Sequence, residues 1–170
     1  TTAPDETSVA AVSTRVNEPQ GLRLNVDSVR KVSELCRRPF TLEVSYANKS
    51  SSRVSSSPDW CSASELLKRD VKGEHIFLHP PSYLEEVCLQ HVNRAWKDKP
   101  YTTSCVAVLP DLKRRSKRGN PLVGWSRLHT FTRGSKVLEQ EVNGKYVAKG
   151  RLTMPMSLWY LGPLATGSPL

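Results

Sequence analysis

The chain has 170 residues, of which 38% are hydrophobic, and 25 Lys+Arg stand against 16 Asp+Glu for a formal net charge of +9. That length suits one domain with a real core plus tails, and with a mean hydropathy of −0.45 no apolar run approaches the ~20 residues a bilayer-spanning helix needs. A pI of about 9.6 favours a polyanionic partner, most often nucleic acid (DNA or RNA); a membrane surface is not expected, because no basic amphipathic helix is flanked by aromatics.

Residues 1–20 are rich in Thr, Ser, Glu and Pro, with no sustained periodicity and no basic-then-apolar leader pattern, and are expected to form a flexible segment. Asn25 or Asp27 caps a short predicted helix with Val29, Val32 and Leu35 on one face. Arg37 and Arg38 fall in its last turn, where cations suit the helix dipole, and Pro39 stops it. Phe40-Thr41-Leu42-Glu43-Val44 reads as a strand from its aromatic and β-branched content. The Ser-rich stretch 48–57 reads as a loop. Ser62-Ala63-Ser64-Glu65 matches a capping box that opens a short helix over 65–69, and 74–78 is a strand.

Over 83–97 the apolar positions Leu84, Val87, Cys88, His91, Val92, Ala95 and Trp96 recur near every 3.6 residues, the pattern of an amphipathic helix. Thr-Ser-Cys-Val-Ala-Val-Leu over 103–109 is nearly all apolar and predicts a parallel strand covered on both faces. Strand, helix and strand make a βαβ unit, expected to be right-handed. A basic loop follows, with Lys113, Arg114, Arg115, Lys117 and Arg118 as candidate phosphate contacts. Further strands are predicted over 128–132, 137–142, 146–148 and 157–161; Asn143-Gly144 marks a type I′ hairpin turn. The domain is therefore set at 21–162, with a loose tail over 163–170. The fold class is α/β: a three-layer, mostly parallel sheet with a C-terminal antiparallel hairpin.

Between the strand at 74–78 and the long helix stand His79-Pro80-Pro81-Ser82. Two prolines fix φ twice and remove two donors, and the residue before each is driven toward extended geometry. The strand thus leaves on a rigid elbow at its carboxyl end, where ligands bind in open α/β sheets. Cys36, Cys61, Cys88 and Cys105 lack CxxC spacing and read as reduced thiols of an intracellular protein, nuclear or cytoplasmic, with no metal site. His91 reads as a core histidine, and His75 and His129 lack partners at ligand spacing. Trp125 either stacks on a base or closes the surface; Trp60 and Trp159 are assigned to packing. Ser62 and Ser82 lack the small-residue setting of a nucleophile elbow, which argues against hydrolase chemistry.

The run Phe40-Thr41-Leu42-Glu43-Val44, the Ser/Asn-rich loop, the segment 60–71, Gly73-Glu74-His75-Ile76-Phe77-Leu78-His79-Pro80-Pro81, the helix ending at Trp96, the strand closed by Pro110 and the final Trp159-Tyr160 together resemble the Dam-like N6-adenine methyltransferase domain of phages and retrotransposon polyproteins. The resemblance covers about 39–162. It implies a Rossmann-like fold and methyl transfer from S-adenosylmethionine to an exocyclic adenine nitrogen. In that family an Asp/Asn-Pro-Pro-aromatic motif holds the amino group by the acidic or amide oxygen and a proline carbonyl, while the aromatic stacks on the flipped base.

This chain departs from the pattern in three places. His79 stands where Asp or Asn is expected, and a neutral imidazole offers one acceptor nitrogen, a protonated one none. Ser82 replaces the aromatic, leaving Tyr83 as the nearest ring. The loop after the first strand has no glycine, so only Glu43 remains to meet a ribose. The resemblance therefore implies a nucleic-acid-associated, methyltransferase-like domain without catalysis or cofactor, in a retroelement polyprotein or ribonucleoprotein assembly. Its vestigial site is His79, Pro80, Pro81 and Tyr83. Two alternatives are an active S-adenosylmethionine-dependent enzyme and a structural module that holds other proteins of a large complex.

Overall fold

The computed structural model describes residues 21–36, 38–45, 59–111 and 119–165. Residues 1–20, the Ser-rich loop 48–57, residues 166–170 of the predicted tail, and the basic loop with Lys113, Arg114, Arg115, Lys117 and Arg118 lie outside the described residues.

The first strand among the described residues is β1 (Leu22–Leu24), which lacks a sequence signal of its own. Asn25 then caps α1 (Val26–Leu35), its side chain accepting from the Ser28 N–H at 2.9 Å. The helix ends before the expected basic turn. Cys36 is already extended (φ −114°, ψ 102°), its N–H closing the last bond onto the Val32 carbonyl, so Arg38 lies beyond the helix.

β2 (Leu42–Ser45), β3 (Asp59–Cys61), β4 (His75–His79) and β5 (Ser104–Pro110) form a parallel run in the spatial order β3-β2-β4-β5. Between β3 and β4 lies α2 (Ala63–Leu66), opened by the predicted capping box: Ser62 Oγ accepts from Glu65 N–H and Glu65 Oε1 from Ser62 N–H, each at 3.2 Å. β4 and β5 are adjacent and parallel, joined by a 3-10 turn (Ser82–Leu84) and α3 (Glu85–Asp98). The crossover expected from the elbow is therefore present.

Two antiparallel strands complete the sheet. β9 (Met156–Leu161) pairs with β5 from Cys105↔Leu161 to Pro110↔Met156, and β6 (Ser126–Phe131) lies outside it. The result is a mixed six-stranded sheet in an α/β fold, in which β9 alone runs against the other five strands. The hairpin of β7 (Leu138–Val142) and β8 (Lys145–Ala148) turns at Asn143-Gly144 with φ of 52° and 79°, as a type I′ turn requires. It does not join the large sheet. β1 pairs with β7 instead and makes a separate three-stranded antiparallel sheet, pinned by Arg23 Nε donating to Glu139 Oε1 at 2.9 Å and by the Arg23 guanidinium over the Tyr146 ring.

Strand alternation divides the core. Leu42, Val44, Ile76, Leu78, Cys105 and Ala107 pack with α2 and α3, while Phe77, Val106, Val108 and Leu158 pack with Val32 of α1 and Leu24 of β1. Among the described residues no helix is long and apolar enough to cross a membrane.

Candidate functional site

The parallel pairing Ser45↔His79 brings the carboxyl ends of β2 and β4 side by side. Glu43, Ser45 and His79 share the sheet face opposite α3, since Leu42, Val44 and Leu78 occupy the other. Trp60 pairs with Glu43 from β3, and its Nε1 donates to Ser45 Oγ at 3.1 Å. Four polar or amphipathic side chains thus meet at the end of the sheet from which the double proline departs. Ser45 and Trp60 were not legible as members. The three-residue β3 carries no periodicity, and only its aromatic hinted at it.

The elbow has the expected geometry. Pro81 is extended at φ −64°, ψ 152°, and both prolines are buried. The Pro81 carbonyl accepts from the Leu84 N–H at 3.0 Å, which opens the 3-10 turn. Tyr83 sits in that turn, 37% exposed.

The side chains themselves are enclosed. His79 is 4% and Glu43 3% exposed. Burial pushes the His79 pKa down to about 4, so its imidazole is neutral at physiological pH. Glu43, the carboxylate that the resemblance sets against a ribose, is buried, and the Pro81 carbonyl accepts from the Leu84 N–H.

Trp125 is 7% exposed and lies in the core, its Nε1 donating to Asn93 Oδ1 at 2.8 Å. The buried ring closes the protein surface and presents no open face for stacking. His91 is half-buried, its Nε2 donating to the Arg69 carbonyl at 2.8 Å. His75 is hydrogen-bonded through Nδ1 to the Ser104 hydroxyl and stacks on Phe40. Both members of that Ser–His pair are at most 1% exposed, at the amino ends of their strands, so it is structural and not nucleophilic. Among the described residues no three His, Cys, Asp or Glu side chains are grouped to hold a metal ion.

A cleft of about 430 Å³ opens elsewhere, between α3 and the turn 119–124, lined in part by Gln90, Arg94, Trp96, Lys97 and Asn120. No protein-family model and no curated protein matches the chain.

Proposed function

We propose that this chain is a nucleic-acid-associated domain on a methyltransferase-like, three-layer Rossmann-like scaffold that no longer transfers methyl groups. It serves a retroelement polyprotein or a ribonucleoprotein assembly in the nucleus or cytoplasm. The observation that carries the reading is the passage of β4 through Pro80-Pro81 into α3 and back as the adjacent parallel β5, with His79 enclosed at the bend. The crossover and the elbow agree with the ancestry that the resemblance implies. The enclosed His79 and Glu43 favour a lost reaction. The net charge of +9 favours a polyanion, and the run of Lys113, Arg114, Arg115, Lys117 and Arg118 supplies its phosphate contacts.

Two measurements on the full chain test this. Calorimetry with millimolar S-adenosylmethionine is expected to show no binding heat; saturable heat restores the active-enzyme reading. Fluorescence anisotropy with labelled DNA and RNA is expected to show binding that weakens with salt. Changing the five basic residues of 113–118 to Glu should abolish it, since each phosphate contact adds about 0.9 to the logarithmic salt slope on duplex DNA. If the native chain has no affinity at physiological salt, the domain is a structural module instead.

A further inference from the structure

The cleft beside α3 lies at the far end of the sheet from the double proline. Leu161, one of its walls, pairs with Cys105 near the start of β5, whereas His79 ends β4. We propose that this cleft is a one-nucleotide subsite for single-stranded nucleic acid, in which Arg94 and Lys97 meet the phosphate while Gln90 and Asn120 read the base edge. The inference deepens the reading of the domain as nucleic-acid-associated and rests on it.

Arg94 and Lys97 stand one turn apart on α3, both exposed, and no acidic residue lines the cleft. Among the described residues neither forms an ion pair, although Arg23, Arg30, Lys31, Arg69 and Arg127 each meet a carboxylate. Two cations that meet no carboxylate of the described residues and converge on a concave site attract an anion. The cleft also offers uncommitted amides. The Gln90 amide makes no hydrogen bond among the described residues. Asn120 uses its Oδ1 for the Leu122 N–H at 3.0 Å and keeps its Nδ2 to donate. The walls between them are apolar: Trp96, Pro121, Leu161 and Val123, the last 77% exposed at the rim. Cations, amides and an apolar slot are what an unpaired nucleotide needs, and a base still stacked in a duplex cannot enter.

The site is preformed. Asn93 Nδ2 donates to the Pro121 carbonyl at 2.7 Å and Asn93 Oδ1 accepts from Trp125, which locks the turn onto the helix. Trp96 is held by its Nε1 donating to the Gly162 carbonyl at 2.9 Å. Its volume of about 430 Å³ lies within the range of about 300–1,000 Å³ typical of ligand sites. Arg118, the last residue of the basic run, is covalently joined to Gly119 of the cleft.

The test is anisotropy of labelled 12-nucleotide single-stranded RNA and DNA across a salt series, on the full chain with folding checked by circular dichroism. R94A/K97A should bind about tenfold more weakly, with the logarithmic salt slope reduced by about 0.7, the share of one phosphate on a single strand. Q90A/N120A should weaken binding with the slope unchanged, and unlabelled duplex should compete poorly. Unchanged affinity in both double variants overturns the proposal. So does a loss confined to R94A/K97A with duplex competing equally, which is surface charge alone. If reversing 113–118 abolishes binding while all four substitutions are silent, the cleft falls and the broader reading stands. If neither matters, both fall.

Discussion

His75 and His79 enter the folded chain as neutral imidazoles. Burial pushes each pKa down to about 4, and for His75 the nearby Arg38 charge adds to the effect. An ordinary imidazole titrates near ~6.5, so between ~6.5 and about 4 the unfolded chain binds protons that the folded chain refuses. Stability is therefore full above ~6.5 and declines as pH falls toward 4. By pH 5 the loss is on the order of 2 kcal/mol for each histidine. Guanidinium unfolding is expected to show a lower midpoint at pH 5 than at pH 7, with the difference shrinking in His79→Gln. Equal midpoints would mean that the imidazoles are hydrated. The position of His79 at a strand end was readable from its neighbours. Its enclosure was not, because that depends on Ser45 and Trp60 arriving from two other strands.

Local chemistry governs the elements that were easiest to read. The capping box at Ser62 depends on four consecutive residues, and the structure forms both of its bonds. The Glu65 carboxyl is held below its ordinary range by the Ser62 backbone and hydroxyl. Ser62→Ala is expected to destabilise the fold by about 1 kcal/mol, measured by urea unfolding. A change within a few tenths of a kcal/mol would mean that water replaces the cap. The Asn143-Gly144 turn was legible for the same reason: both central residues need positive φ, and they have it. The sheet that the hairpin joins was hidden. Its partner β1 has three residues, and the Arg23–Glu139 contact that pins it spans 116 positions of sequence. The end of α1 was misplaced because Arg37 and Arg38 suit a helix terminus in isolation. The chain turns extended one residue earlier, at Cys36.

At the scale of the molecule, the large sheet separates two hydrophobic clusters and two polar ends. Cys61, Cys88 and Cys105 are buried, and burial pushes the first two thiols up to about 11 and about 12 and holds the third well above its ordinary range. Since the thiolate is the reactive form, these three are expected to resist iodoacetamide in the native chain and to react on unfolding. Half-buried Cys36 is expected to react first. Mass spectrometry that found Cys88 or Cys105 alkylated before denaturation would show that the sheet opens locally. The enclosed His79 end and the open Arg94–Lys97 end also give the domain a polarity. The double-proline bend is closed, and the accessible cationic cleft lies opposite.

Alternation, helical period, caps and turn residues act over a few neighbouring positions, so an unaligned chain already displayed the α/β class, the crossover through the double proline, the amphipathic α3 and the hairpin turn. Which strand lies beside which is settled by burial between segments far apart. β9 inserts between β5 and β6 because its apolar residues match a strand covered on both faces, and β1 captures the hairpin through an arginine that no local pattern distinguishes. The cleft beside α3 exists only once Asn93 has tied the turn at Pro121 to the helix, a hydrogen bond between residues 28 positions apart.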